Sequence, residues 1–178
     1  QLRPRVFQPF GALRDHLVAY ERFLRDLLRH HIDIQQAAGR YGSEGEPKGR
    51  TSLSSAELGH FFERRTPDLE VVYQEHLKRT DTALRVRDEM SREKGLRIPL
   101  VEVCDRFGLS RLDGLILMIN AAAARHRSLN RVLRHAMNDF GADAPFPSFL
   151  QELLAPILEP GESVLDRFEP EAPLMRQG

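Results

Sequence analysis

Between Leu112 and Ala124 the chain reads Leu-Asp-Gly-Leu-Ile-Leu-Met-Ile-Asn-Ala-Ala-Ala-Ala, with Asp113 and Asn120 the only polar side chains. A helix this apolar on nearly every side has no face to give to water, so it is stable only when other elements surround it. It falls short of the ~20 apolar residues needed to cross a bilayer, as does every other apolar run in the sequence. The segment is therefore expected to be the buried centre of a helical domain, and the flanking sequence must supply the elements that cover it.

Two long amphipathic patterns lie upstream. From Phe10 to Ile34 the apolar positions Phe10, Leu13, Leu17, Tyr20, Leu24 and Leu27 continue to His31 and Ile34 in steps of three and four. That spacing predicts one stripe along a helix that ends before Gly39. The stretch Gly39–Arg50 holds four glycines and a proline without periodicity, which predicts a flexible loop over 39–52. Ser54 or Ser55 is expected to cap a short helix reaching about Arg65, with Leu58, Phe61 and Phe62 on its apolar side. Thr66 and Pro67 suit the N-cap and first position of a helix from Asp68 to about Lys94. Its apolar side would carry Leu69, Val72, Tyr73, Leu77, Thr80 and Leu84. The two long helices are expected to pair through their stripes.

After Gly95 the elements shorten. Pro99–Arg106 reads as a helix with Leu100, Val103 and Cys104 inward, and Phe107-Gly108-Leu109 as a turn. Ser110 caps the apolar helix through Arg125. Helices are expected again from Ser128 to Phe140 and from Pro147 to Leu154. Beyond Pro156 the prolines and glycine at 160, 161, 170 and 173 leave room for short strands at most, at Val164-Leu165 and Leu174-Met175. The fold class read from this order is all-α. It comprises a helical extension over residues 1–95, then a second domain of shorter helices over 96–178.

Charge narrows the function. Lys plus Arg equals Asp plus Glu at 26 each, and residues 101–178 hold eight basic against eleven acidic side chains. Neither balance draws nucleic acid or an anionic membrane. The segment Val103–Leu112 has the shape of a helix-turn-helix, but a base-reading second helix needs polar side chains toward base edges, and 112–124 lacks them. The single cysteine, Cys104, permits no intramolecular disulfide and fits a reducing compartment such as the cytoplasm. The chain begins Gln1-Leu-Arg-Pro-Arg without an apolar signal core and stops after a Pro-rich tail, as expected of a domain from a longer protein.

No catalytic, cofactor-binding or metal-binding residue can be assigned. Lys48 precedes Gly49 and no Gly-Lys-[Ser/Thr] phosphate loop is present, so no nucleotide site is expected in this chain. The adjacent His30 and His31 point to different sides of a helix, unlike a zinc-binding i, i+4 pair, and His16, His60, His76, His126 and His135 are isolated. Cys104 suits a small core residue better than a nucleophile. Ser52, Ser54 and Ser55 read as loop and cap residues, and Glu169 and Glu171 as a solvated tail.

Residues from about Pro99 to Arg176 resemble the variant winged-helix domain that precedes the ATPase module of a group of bacterial AAA+ ATPases, some of them encoded with contractile injection systems. The resemblance rests on Leu100-Val-Glu-Val-Cys-Asp-Arg-Phe-Gly-Leu-Ser110, Leu115-Ile-Leu-Met-Ile119, and Asn138-Asp139 where the family tends to have an acidic pair. Phe146-Pro-Ser-Phe-Leu-Gln-Glu-Leu-Leu154 and Ala172-Pro-Leu-Met-Arg176 complete it. Where the family carries an Ala-Pro-Glu-Leu-like segment, this chain has Ala121-Ala-Ala-Ala-Arg-His126. The resemblance implies ATP and magnesium for a module downstream of Gly178, in a parent that forms a homo-oligomeric ring. The chain itself would then be a regulatory or adaptor domain that binds a protein client or its own ATPase module. A DNA-binding module of a transcription-related protein is the alternative.

Overall fold

The computed structural model describes residues 7–39, 53, 57, 58, 62, 70–139 and 141–176 of the 178-residue chain. Among them are seven α-helices and no strand. They are α1 (Leu13–Ala37), α2 (Glu70–Glu93), α3 (Pro99–Phe107), α4 (Arg111–Arg125), α5 (Arg127–Ala136), α6 (Pro147–Leu154) and α7 (Pro173–Arg176). Two 3-10 turns, Ala155–Ile157 and Leu165–Phe168, follow α6; of the two places where short strands were the most the sequence allowed, Val164-Leu165 opens the second turn and Leu174-Met175 lies within α7. The loop after Gly39, most of the 54–65 helix, the Thr66-Pro67 start and Phe140 lie outside the described residues.

α1 buries a wider face than one stripe. His16, Tyr20, Phe23, Leu27 and His30 form one row in steps of four and three, and Leu24, Leu28, His31 and Gln35 a second beside it. The rows face different partners. His16 and Tyr20 meet Asp88 of α2, and the His30 ring stacks on Tyr73. His31 meets the Phe149 ring of α6 edge-on, and Gln35 Nε2 donates to Glu152 Oε2 at 3.2 Å. A helix packed against α2, α4, α5 and α6 at once needs this width. The cost falls on the expected stripe: Leu13 and Ile34, at its ends, are 39% and 37% exposed.

α2 follows the same rule with polar residues. Its inward row is Leu77, Asp81, Leu84, Asp88 and Ser91, again spaced four and three, with Asp88 half-buried and the rest buried. Val72, expected inside, is 56% exposed. Ser91 shows how the polar members are accommodated. Its hydroxyl accepts from the Phe10 backbone N–H at 2.8 Å and donates to the Arg87 carbonyl at 2.6 Å, fastening the start of the described chain to α2. The helix ends at Gly95, whose φ of 75° lets the Leu96 N–H return to the Ser91 carbonyl.

α4 is the centre, as its composition requires. Leu112, Leu115, Ile116, Met118, Ile119 and Ala122 are buried, along with Asp113 and Gly114. Each fully buried Leu, Ile or Met contributes roughly 1.5–3 kcal/mol of burial free energy. α3 is peripheral by contrast and has no buried residue. Val101 is turned in beside Leu100 and Cys104, whereas Val103, expected inward, is 38% exposed. The turn between them is specified residue by residue. Gly108 takes the left-handed conformation at φ 63°, the Leu109 N–H donates to the Cys104 carbonyl, and Ser110 forms a reciprocal capping box with Asp113.

The Ser110 backbone N–H donates to Asp113 Oδ2 at 2.8 Å, and the Asp113 N–H donates to Ser110 Oγ at 3.2 Å. Ser110→Ala is expected to cost about 1–2 kcal/mol, because the buried start of α4 loses its cap. Thermal unfolding should show a fall of a few degrees, about 2–4 °C per kcal/mol for a domain of this size. Ser110→Thr, which keeps the oxygen, should restore most of it.

Beyond α4 the chain reverses at His126, an extended residue that ends α4 and starts α5. Its Nε2 lies 2.7 Å from Glu21 Oε1, tying the reversal to α1. Asn138 then ends α5 in the left-handed conformation at φ 53°, and Asp139 Oδ1 accepts from the N–H groups of Gly141 and Ala142. The Asn138-Asp139 pair is thus a helix stop and turn. α6 covers the core with Phe149, Leu150, Leu153 and Leu154. Gln151 Oε1 holds the following segment by accepting from the Val164 N–H at 2.7 Å.

Candidate functional site

The helix-turn-helix segment does not present its second helix. Two of the α4 side chains that could reach a base edge are already engaged, and a third, Arg125, stands exposed at the helix's last position. Asn120 Nδ2 donates to the Ile116 carbonyl of its own helix at 2.9 Å. Arg111, at the first position, turns toward α2, where Nη2 and Nε donate to the two oxygens of Asp81 at 2.5 and 3.2 Å. Its Nη2 also lies 3.4 Å from the Ile157 carbonyl and Nη1 lies 3.6 Å from Glu162 Oε2. One guanidinium therefore joins α2, α4 and the segment after α6. Burial pushes the Asp81 carboxyl above the ordinary carboxylate range, and Arg111 offsets only part of that penalty.

A second polar cluster lies nearby. Tyr20 Oη donates to Asp88 Oδ2 at 2.5 Å, and His16 Nε2, fully buried between Phe10 and Tyr20, is 3.3 Å from Asp88 Oδ1. Burial, reinforced by the Asp88 charge, drives the Tyr20 hydroxyl far above its usual value, so it remains a donor. His16 has no exposed surface from which to act on a ligand.

Both clusters border a groove of about 550 Å³ between α2, α3, the start of α4 and residues 159–162. Its floor is apolar, from Leu100, Val101, Leu109 and Leu115. Six carboxylates and three guanidinium groups line it. Cys104 is half-buried in its wall, against α4 at Gly114, where a side chain would meet the sulfur at 3.1 Å. Burial and then Asp105 raise the Cys104 thiol, which keeps it protonated and a poor nucleophile. Nothing in the groove pairs an activated nucleophile with a base.

The other sequence candidates disperse. His30, His31 and His135 are buried on separate contacts, with His135 Nδ1 accepting from the Leu53 N–H at 3.4 Å, and His76 and His126 are partly exposed. Among the described residues no group of three or more His, Cys, Asp or Glu side chains could hold a metal ion, and no helix is long and apolar enough to cross a membrane. Ser52, Ser54, Ser55 and His60 lie outside the described residues. Asp81, Asp88 and Arg111 were not singled out in the sequence. The one signal was spacing, because the α2 row passes through both aspartates.

Residues 7–178 match a family described as a winged helix domain, variant. The chain belongs to that family. No curated protein and no solved structure matches it. The match takes in α1 and α2 as well as the 99–176 stretch where the sequence resemblance lay, so in this variant winged-helix domain the long helices fall within the family's span. α1 and α2 accordingly pack on the elements that follow: α1 touches α4, α5 and α6, and α2 touches the 155–157 turn.

Proposed function

We propose that this variant winged-helix domain is a non-catalytic regulatory or adaptor domain that recognises protein rather than nucleic acid. The observation that carries the reading is the burial of α4. A helix-turn-helix reader lays its second helix in the major groove, and here that helix would have to leave the core, exposing Leu112, Leu115, Ile116, Met118 and Ile119. Two of its polar candidates, Arg111 and Asn120, would have to abandon Asp81 and the Ile116 carbonyl, and Arg125 lies at the C-terminal end, away from the N-terminal residues that such a helix turns to base edges. The acidic excess of residues 101–178 adds repulsion of phosphate.

The resemblance to the domains that precede AAA+ modules supports a cytoplasmic parent in which a downstream module uses ATP and magnesium and assembles as a ring. This domain would hold a client or help assemble the ring. It has no Gly-Lys-[Ser/Thr] loop with which to share in that chemistry.

The helix-turn-helix geometry at Phe107–Ser110 favours one other reading, a DNA-binding module. Fluorescence anisotropy with duplex DNA at physiological salt separates the two, run beside a pull-down with the domain as bait. The expected result is feeble, non-selective DNA binding and capture of a specific protein that competes with excess untagged domain. Sequence-selective DNA binding at or below ~10⁻⁸ M, the specific range, would overturn the proposal.

A further inference from the structure

The groove beside the helix-turn-helix combines two features that a purely structural crevice does not need. Its floor leaves Leu100, Val101 and Leu109 only partly buried, and α3, which supplies two of them, has no buried residue of its own. Its rim carries more carboxylate than it can neutralise. The Arg92 guanidinium is held by Glu89 and Asp105, and Arg111 by Asp81 and Glu162. That leaves Arg85 as the remaining cation beside Asp88 and the exposed Glu159. A volume of about 550 Å³ lies within the range of sites that accept a ligand-sized group.

From this juxtaposition we infer that the groove is the docking site for a basic segment of a protein partner, which seats one or two apolar side chains on the floor and sets Lys or Arg against the acidic rim. The inference rests on the protein-binding reading above and names the face that would carry it. Charge selects the occupant. A phosphate-bearing ligand meets the carboxylate excess with repulsion, and an acidic segment does the same. An uncharged apolar segment would fill the floor but leave the rim unused. Docking would also cover the inner side of α3, the least buried helix of the helix-turn-helix, so bound partner should steady α3 against α4.

The test begins with a phage-displayed library of random 12-residue peptides selected on the 178-residue chain. Enriched sequences should place Lys or Arg around a Leu, Ile, Met or Phe anchor. A synthetic peptide of that consensus should shift amide resonances of Leu100, Cys104, Leu109 and Gly114, and its affinity should fall as NaCl rises from 50 to 500 mM. The exposed pair Asp105→Lys/Glu159→Lys should keep the native melting profile, weaken that peptide by roughly tenfold or more, and gain affinity for a version with Glu in place of its basic residues.

A selection yielding no basic-apolar consensus would overturn the inference. So would resonance shifts elsewhere on the domain, or affinity untouched by the charge reversal. Selected peptides that bind another face would remove the groove and leave the protein-binding reading standing. Tight selective DNA binding in the anisotropy experiment would remove both.

Discussion

Ile116→Asp is expected to lower the stability of the domain by on the order of 4–6 kcal/mol, enough to leave it largely unfolded at 37 °C. Ile116 is 3% exposed near the middle of α4, with Leu112, Leu115 and Ile119 also buried on the same helix. Removing the side chain alone forfeits about 2–5 kcal/mol through lost transfer energy and the cavity left behind. The carboxylate adds the cost of burying a charge with no partner, or of taking up a proton to avoid it. Against a typical total of about 5–15 kcal/mol, little margin remains. Ala121→Asp provides the control, because Ala121 is exposed on the same helix and should change stability by under about 1 kcal/mol. Urea unfolding followed by circular dichroism measures both. Equal midpoints for the two variants would mean that α4 is not the core, and would restore it as a candidate binding helix.

The burial of Ile116 was legible in the sequence, and the reason is composition, whereas the exposure of Ala121 was not. With only two polar side chains in 112–124 there was no amphipathic direction to misjudge, and the Ser110 cap fixed where the helix starts. The same holds for α6, whose expected bounds, Pro147 to Leu154, are those observed. The long helices were legible as helices but not in orientation. A single stripe was drawn through α1 by following its aliphatic residues, which put Leu13 and Ile34 inside and left His16, His30 and Gln35 out. The fold buries the latter because α1 has partners on two sides, and partner number is a tertiary fact with no trace in a local period.

The groove was illegible for a related reason. Its walls come from α2, α3, α4 and the 159–162 segment, spread over eighty residues of sequence. Its charged members looked like a solvated face. Asp81 and Asp88 do lie on the 77–91 row that points inward, but an acidic residue on such a row is read as a surface residue until its partner is known. For Asp81 the partner is Arg111, thirty residues away.

That pair gives the second large effect. Arg111→Met is expected to cost about 3–5 kcal/mol near neutral pH, the range for breaking a buried ion pair from one side. The Asp81 side chain is only 9% exposed and would be left charged without a cation in contact. Burial already holds the folded Asp81 carboxyl above its unfolded value, and the substitution removes the guanidinium that pulls it back. The sign of the pH dependence follows. A group whose folded pKa is raised binds its proton more tightly in the native state. Its favourable contribution is therefore complete below the unfolded value, near ~4, and is lost as pH rises through the raised folded value. The deficit of Arg111→Met against the parent should accordingly be largest at pH 7.5 and shrink toward pH 5, as Asp81 becomes neutral in the variant. Two further variants isolate the charge. Asp81→Asn in the Arg111→Met background should recover much of the loss and flatten the pH profile. Asp81→Leu/Arg111→Met, which replaces both partners with apolar groups, should come within about 1–2 kcal/mol of the parent, since well-packed apolar substitutes for a buried pair are often neutral or better. Urea unfolding of the four proteins at pH 5.0 and 7.5 is the measurement. A loss that is small, or that does not change between the two pH values, would mean that Asp81 draws its support from elsewhere, and that Arg111 does not join α2, α4 and the 157–162 segment in the way its contacts indicate.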